Sequence, residues 1–310
     1  MAILRNSVSA VFLILITLPA NAQLTDVMST LKAFTPDTSG GWEHESAIFL
    51  NTSQTSLTNW SSGGRNSLSL NVLVSLDRNY RAEKANWDNS LEFGYGIMNQ
   101  GDGEGFLKTD DKLDIATKYG FRTFEKWYFS ALMTLRTQVN PGYYYPNDSV
   151  VISRFLAPGY FVGAIGMDFK PSDAFSAFIS PLTTKTTFVL DDVLSDSGAF
   201  GVERGRISRS EIGGFVRMLY RKDLVENVSF DLKIDLFSNY LRKPGNIDIN
   251  WEMRLILKAY KMLSASLSTH LIYDDDVILD IDFDKDGIID KRGPRLQFKE
   301  LFSLGLTFRF

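Results

Sequence analysis

Residues 65–80 read RNSLSLNVLVSLDRNY. Leu68, Leu70, Val72, Val74 and Leu76 take every second place, and Ser67, Ser69, Asn71, Ser75 and Asp77 fill most of the places between, with Leu73 the exception. A period of two predicts a β-strand with one apolar and one polar face. The pattern recurs along the chain. Trp87, Leu91, Phe93, Tyr95 and Ile97 oppose Asp88, Ser90, Glu92, Gly94 and Gly96. Leu113, Ile115, Tyr119 and Phe121 oppose Lys112, Asp114 and Lys118; Phe129, Ala131, Met133 and Leu135 oppose Ser130, Thr134, Arg136 and Gln138. Val228, Phe230, Leu232, Ile234 and Leu236 oppose Ser229, Asp231, Lys233 and Asp235; Trp251, Met253, Leu255 and Leu257 oppose Glu252, Arg254 and Lys258. Leu263, Ala265, Leu267 and Leu271 oppose Ser264, Ser266, Ser268 and His270. In the last strand Phe302, Leu304, Leu306, Phe308 and Phe310 share a face, and weaker alternation runs through residues 46–57, 160–169, 175–189 and 211–220.

These are twelve candidate strands, most of nine residues or more. Strands of soluble sheets usually run about five or six residues, whereas a membrane strand needs about nine to eleven. No helical run is available to cover the apolar faces. Two arrangements can bury them: two sheets packed as a soluble sandwich, or one sheet closed into a barrel with its apolar face in lipid. The mixed charges on the polar faces suit either one. Connection lengths separate the two. Connections from even to odd strands are short: RAEKAN, RTFEK, KPSDA, RKDLVEN and YKM. Those from odd to even are longer: LTNWSSGG, NQGDGEGFLKTD, NPGYYYPNDSVVISRF, LDDVLSDSGAFGVERGRIS, LRKPGNID and residues 274–297. Short turns on one rim and long loops on the other mark an outer-membrane barrel. Trp87, Tyr95, Tyr119, Trp127, Tyr220, Tyr240, Trp251, Tyr260 and Tyr273 lie near strand ends, where interfacial girdles place rings that are apolar with a polar tip. The expected fold is therefore all-β, a transmembrane antiparallel up-and-down β-barrel of about twelve strands.

The N-terminus adds a destination. Arg5 precedes the apolar run VSAVFLILITL, and Pro19 precedes Ala20, Asn21 and Ala22, an A-x-A cleavage site. The run is too short to span a bilayer, which takes roughly 20 residues. The expected organisation is a cleaved signal peptide at 1–22, an N-terminal periplasmic segment or plug at 23–41, and the barrel at 42–310. Composition then removes classes of function. The chain of 310 residues has no cysteine and a net charge of −4. That leaves no disulfide framework, no thiolate metal site and no lipidated N-terminus, and no reason to expect nucleic acid. A final Phe310 after alternating apolar residues resembles the signal read by the bacterial barrel-assembly machinery.

The stretches NTSQTSLTNWSSGG, NPGYYYPNDSVVISRF with LAPGY after it, DLFSNYL, IDINWE, YDDD and GPRLQFKE go further. They resemble a family of uncharacterised Bacteroidota outer-membrane β-barrel proteins catalogued as a domain of unknown function, across roughly residues 42–310. The resemblance implies an outer-membrane location in a Gram-negative cell, contact with outer-membrane lipid, and no named reaction.

One motif carries metal chemistry. In DFDKDGIID, Asp282, Asp284 and Asp286 stand at alternating positions before Gly287, Ile288 offers a carbonyl and Asp290 a further carboxylate. Ca²⁺ takes six to eight oxygens, and such a loop converges several of them on one ion. Gly293 stands where an EF-hand has its bidentate Glu, so the motif looks more like the acidic calcium loops of extracellular repeats. Asp274, Asp275 and Asp276 could lend another carboxylate. The role would be to order the last long loop, not to catalyse. Among nucleophiles, Ser268 and His270 share the polar face of one strand, which raises an outer-membrane esterase or phospholipase as the alternative function. The main expectation is non-enzymatic: a narrow polar channel for small solutes, or an accessory subunit that displays its loops to a partner in an envelope complex.

Overall fold

The computed structural model describes residues 40–56, 66–101, 105–144, 148–172, 174–260, 262–281 and 290–309. Twelve long strands follow one another: β1 Gly41–Thr55, β2 Ser67–Arg81, β3 Ala85–Asn99, β4 Leu107–Phe124, β5 Trp127–Thr137 and β6 Gly159–Ser172. The series continues with β7 Phe175–Phe188, β8 Ser208–Val225, β9 Val228–Asn239, β10 Asp248–Lys258, β11 Leu263–Tyr273 and β12 Gln297–Arg309. Each pairs antiparallel with its sequence neighbours, and β12 pairs with β1, so the sheet is a closed up-and-down barrel. The closing ladder runs from Ala47↔Arg309 to Asn51↔Gly305.

Alternation fixes which side chain points where. On β2, Ser75, Asp77 and Asn79 are buried inside the ring while Leu68 and Leu70 are exposed outside. On β4, Asp114, Ala116 and Lys118 are buried against exposed Ile115, Tyr119 and Phe121. Phe129 and Met133 on β5, Ile165 on β6 and Phe302 and Leu304 on β12 continue the apolar exterior, with Phe302 70% exposed. At the short-turn rim Trp42 sits 5.4 Å from Tyr80 and 5.8 Å from Trp87, and the Trp87 indole N–H donates to Thr117 Oγ1 at 2.8 Å. Trp127 and Phe169 pair at 4.7 Å farther round the same rim. These rings have apolar faces and polar tips, the chemistry of a water–lipid boundary.

Two irregularities shape the wall. On β7 the inward parity changes at Pro181: Ser180 and Thr183 are both buried, with Leu182 outside. The registers of both flanking strands shift there, because proline cannot donate to a ladder. The opposing Gly166 has no room for a side chain, since a Cβ would lie 2.1 Å from the Ile179 carbonyl oxygen. At the closure, a Cβ on Gly305 would lie 2.2 Å from both Asn51 Oδ1 and the Leu50 carbonyl oxygen, so glycine permits the close approach of β12 to β1.

The long-loop rim carries its own small structures. Helix α1, Asp192–Ser197, begins at Asp191, whose carboxylate accepts from the Leu194 N–H at 3.0 Å, and ends at Gly198 with φ +74°. Leu194 packs with Ala157, Val189 and Val202, which ties this loop to the one between β5 and β6. Two short hairpins pair Gly142–Tyr143 with Val151–Ser153 and Leu279–Ile281 with Lys291–Gly293.

Candidate functional site

The chemistry lies inside the ring. Each inward position between apolar outward ones can hold a charge only if an opposite charge meets it, because the interior is largely removed from water. At the short-turn end, Arg81 pairs with Asp88, Lys118 with Asp168, and Lys170 reaches Asp88 at 3.4 Å and Asp168 at 3.5 Å. The Tyr128 ring lies 5.4 Å from Lys170 Nζ and 5.7 Å from the Arg122 guanidinium. At the long-loop end, Lys185 holds Asp248 at 2.5 Å and Asp274 at 2.7 Å.

At mid-height the pairs cross the lumen. Lys112 on β4 contacts Glu92 on β3 at 2.9 Å and Glu252 on β10 at 3.0 Å. Arg136 on β5 donates to Asp114 at 2.6 Å, to Glu252 at 2.5 Å and to Asn250 at 3.0 Å. Lys233 on β9 lies 3.3 Å from Glu252 and 3.6 Å from Asp114. Three cations thus meet three carboxylates in a strut. β4 and β10 stand six places apart in a ring of twelve, on opposite walls. A round ring of this kind, with strands ~4.8 Å apart and tilted ~40°, is roughly 24 Å across. Extended Lys and Glu side chains with a hydrogen bond between them span only roughly 14 Å. The contact therefore holds the barrel flattened along this direction.

The strut divides the lumen. On the side of β5–β9, Leu132, Ala164, Phe178, Phe215 and Phe237 point inward and pack together, with Val162 against them. Beside this filling an open cavity of about 370 Å³ remains, walled by β1–β4 and β10–β12 and, toward the short-turn end, by β7–β9 as well. Its lining runs from Glu43, Arg81 and Arg221 near the short-turn rim to Asp110 and Lys299 near the long-loop rim. Between those ends lie Asn51, Asn71, Ser266, Ser268 and Ser303, the charged strut, and an apolar patch of Phe49, Leu73 and Leu301. The cavity wall is mixed in sign and hydrogen-bonding in character.

Residues 52–143 match the family described as "Protein of unknown function (DUF3078)". No curated protein matches the chain. Among solved structures, similarity is found to the COG4313 outer membrane channel from Pseudomonas putida F1, at 11% identity over 92% of this chain and 100% of that one, with a TM-score of 0.41. The translocator domain of the autotransporter NalP from Neisseria meningitidis is 8% identical over 89% of this chain and 90% of its own, with a TM-score of 0.33. The Pseudomonas putida toluene transporter TodX is 10% identical over the same shares, with a TM-score of 0.30.

The residues singled out in the sequence fall unequally on this site. Glu92, Lys112, Asp114, Arg136, Lys233 and Glu252 form the strut, and Lys118 belongs to the short-turn cluster. Asp231 and Asp235 pair with Arg221 and Arg217 on neighbouring β8, each at 2.6 Å. Ser268 and His270 both line the cavity. The His270 imidazole, however, meets Asn250 Oδ1 at 2.7 Å and shares that oxygen with Arg136. This contact engages Nε2 with an amide; no hydrogen bond joins it to Ser268 among the described residues.

Of the calcium motif, Asp282, Asp284, Asp286 and Ile288 lie outside the described residues, as do residues 1–39, Tyr145, Pro146 and Phe310. Asp290 is described and exposed. In sequence the motif falls between Leu279–Ile281 and Lys291–Gly293, two segments that pair with each other. Asp274, Asp275 and Asp276 have other partners: Lys185 at 2.7 Å, Lys243 at 2.8 Å and Arg209 at 3.3 Å. Among the described residues no group of three metal-ligating side chains comes together.

Asp168, Lys170, Lys185 and Arg217 are buried or nearly so in the lumen and were not read from the sequence. Their strands alternate weakly, because Pro181 and the glycines opposite break the period.

Proposed function

We propose that this chain is a non-enzymatic outer-membrane barrel that passes small polar solutes along the open half of its lumen. The cavity lining that runs from one rim to the other beside the strut carries the reading. An exterior of leucine and phenylalanine rimmed by Trp42, Trp87 and Trp127 supports a lipid environment, since a closed sheet pairs its own backbone and so tolerates hydrocarbon. Barrels of eight strands are filled by side chains, and those of sixteen or more leave a water channel. Twelve strands, half filled, leave a narrow path.

Purified protein in planar bilayers with KCl should give discrete conductance steps. Silence at every applied voltage sinks the reading and leaves a filled scaffold. In the last loop, binding of Ca²⁺ by Asp282, Asp284, Asp286, Ile288 and Asp290 is part of the same proposal. Limited proteolysis of that loop should slow in Ca²⁺ and return to its original rate with chelator; equal rates in both remove the metal.

A further inference from the structure

The ring is not closed evenly. Among the described residues β1 and β12 share five rungs, Ala47↔Arg309 to Asn51↔Gly305, whereas every other neighbouring pair shares ten to fifteen. Beyond Asn51, β1 continues in register with β2 through Thr55, and β12 pairs with β11 from Gln297 onward. Residues 52–55 and 297–304 have no ladder to each other among the described residues. Ser53 and Thr55 stand at inward positions of β1, yet both are exposed, unlike Ala47 and Phe49 at the same parity. The gap is at a level where the exterior is still apolar: Leu70, opposite Thr52, is exposed on one flank, and Phe302 and Leu304 are exposed on the other.

Unpaired strand backbone is costly in hydrocarbon and is tolerated where it lines a wet cavity. Such a cavity lies behind the gap, for Asn51, Leu301 and Ser303 line it. We propose that the parted ends of β1 and β12 form a side port between the lumen and the surrounding bilayer, used by a small amphipathic molecule with a zwitterionic head. This deepens the channel reading and rests on it.

The cavity wall supplies the ligand chemistry. Next to the seam Ala47, Phe49 and Ile256 pack together with Leu73 against them, an apolar surface that suits a tail. Farther in, the cavity meets Lys112 and Lys233 together with Glu92 and Glu252, so a head bearing both signs is matched better than an anion or a cation alone. A volume of about 370 Å³ sits at the low end of the ~300–1,000 Å³ common for small-molecule sites.

The test uses octylphosphocholine with a diazirine on its tail and full-length protein in proteoliposomes. Gln54→Cys and Phe302→Cys stand at outward positions that would face each other if the ladder continued. The chain has no other cysteine, so a short bis-maleimide can join only this pair. Wild-type protein and the open variant should both carry photolabel on peptides containing Phe49 and Leu301. Cross-linking should abolish that label and leave KCl conductance in place. Unchanged label after cross-linking, or label confined to outward side chains throughout, overturns the port. Label lost on cross-linking in a protein that never conducts keeps the port and overturns the channel.

Discussion

Glu252 is the residue on which the strut turns, because Lys112, Arg136 and Lys233 all reach it. Removing one partner of a buried pair strands the others, at about 3–5 kcal/mol. Glu252→Gln should therefore lower stability in detergent by that order, measured by denaturant titration. Lys112→Gln with Glu252→Gln should recover much of the loss, since Arg136 and Lys233 keep Asp114. Phe178 is wholly buried against Phe215, and Phe178→Ala should cost about 3–5 kcal/mol through the void it leaves. On the outer face, Phe302→Arg should cost about 2–4 kcal/mol at the midplane of the bilayer, while Ser266→Arg should change conductance with little effect on folding. Equal penalties at the two sites would contradict the assignment of faces. Most of these charges were legible in the sequence because each stands at a polar place in a regular period. The aromatic filling was not. Leu132 interrupts a polar row between Ser130 and Thr134, and Phe178 lies on a strand whose period is broken. Apolar residues on the wet side of a barrel look like noise until the strut shows that this half is dry.

Element by element, the strand order followed from connection lengths, since hairpins leave no choice of neighbour. The loops did not follow. Helix α1 is six residues long, and its register depends on the Asp191 cap and on Leu194 meeting Ala157 from another loop. A contact between segments far apart in sequence leaves no local period. Asp191→Ala should loosen this rim by about 1 kcal/mol, visible as faster amide exchange in 191–198 with the barrel strands unchanged. Next to this loop on the same rim, the Lys243 ammonium beside Asp275 holds its carboxyl below the usual carboxylate range. A depressed folded value means the contact stabilises above the unfolded value and is lost as pH falls through the folded one. Proteolysis near residue 243 should therefore stay slow at neutral pH and quicken only in strong acid. Quickening at mildly acidic pH would remove Asp275 as the latch.

For the whole molecule, the apolar exterior predicts that folded protein needs a surfactant. Sedimentation in plain buffer should show aggregates, and a monodisperse species of monomer mass would remove the membrane reading. The tie between β4 and β10 has a further, geometric consequence. Twelve paired strands fix the perimeter of the wall, and for a given perimeter a circle encloses more area than any oval. A protein released from that tie should round out, so the Lys112 and Glu252 double substitution should enlarge the single-molecule current, though it deletes the charges nearest the path.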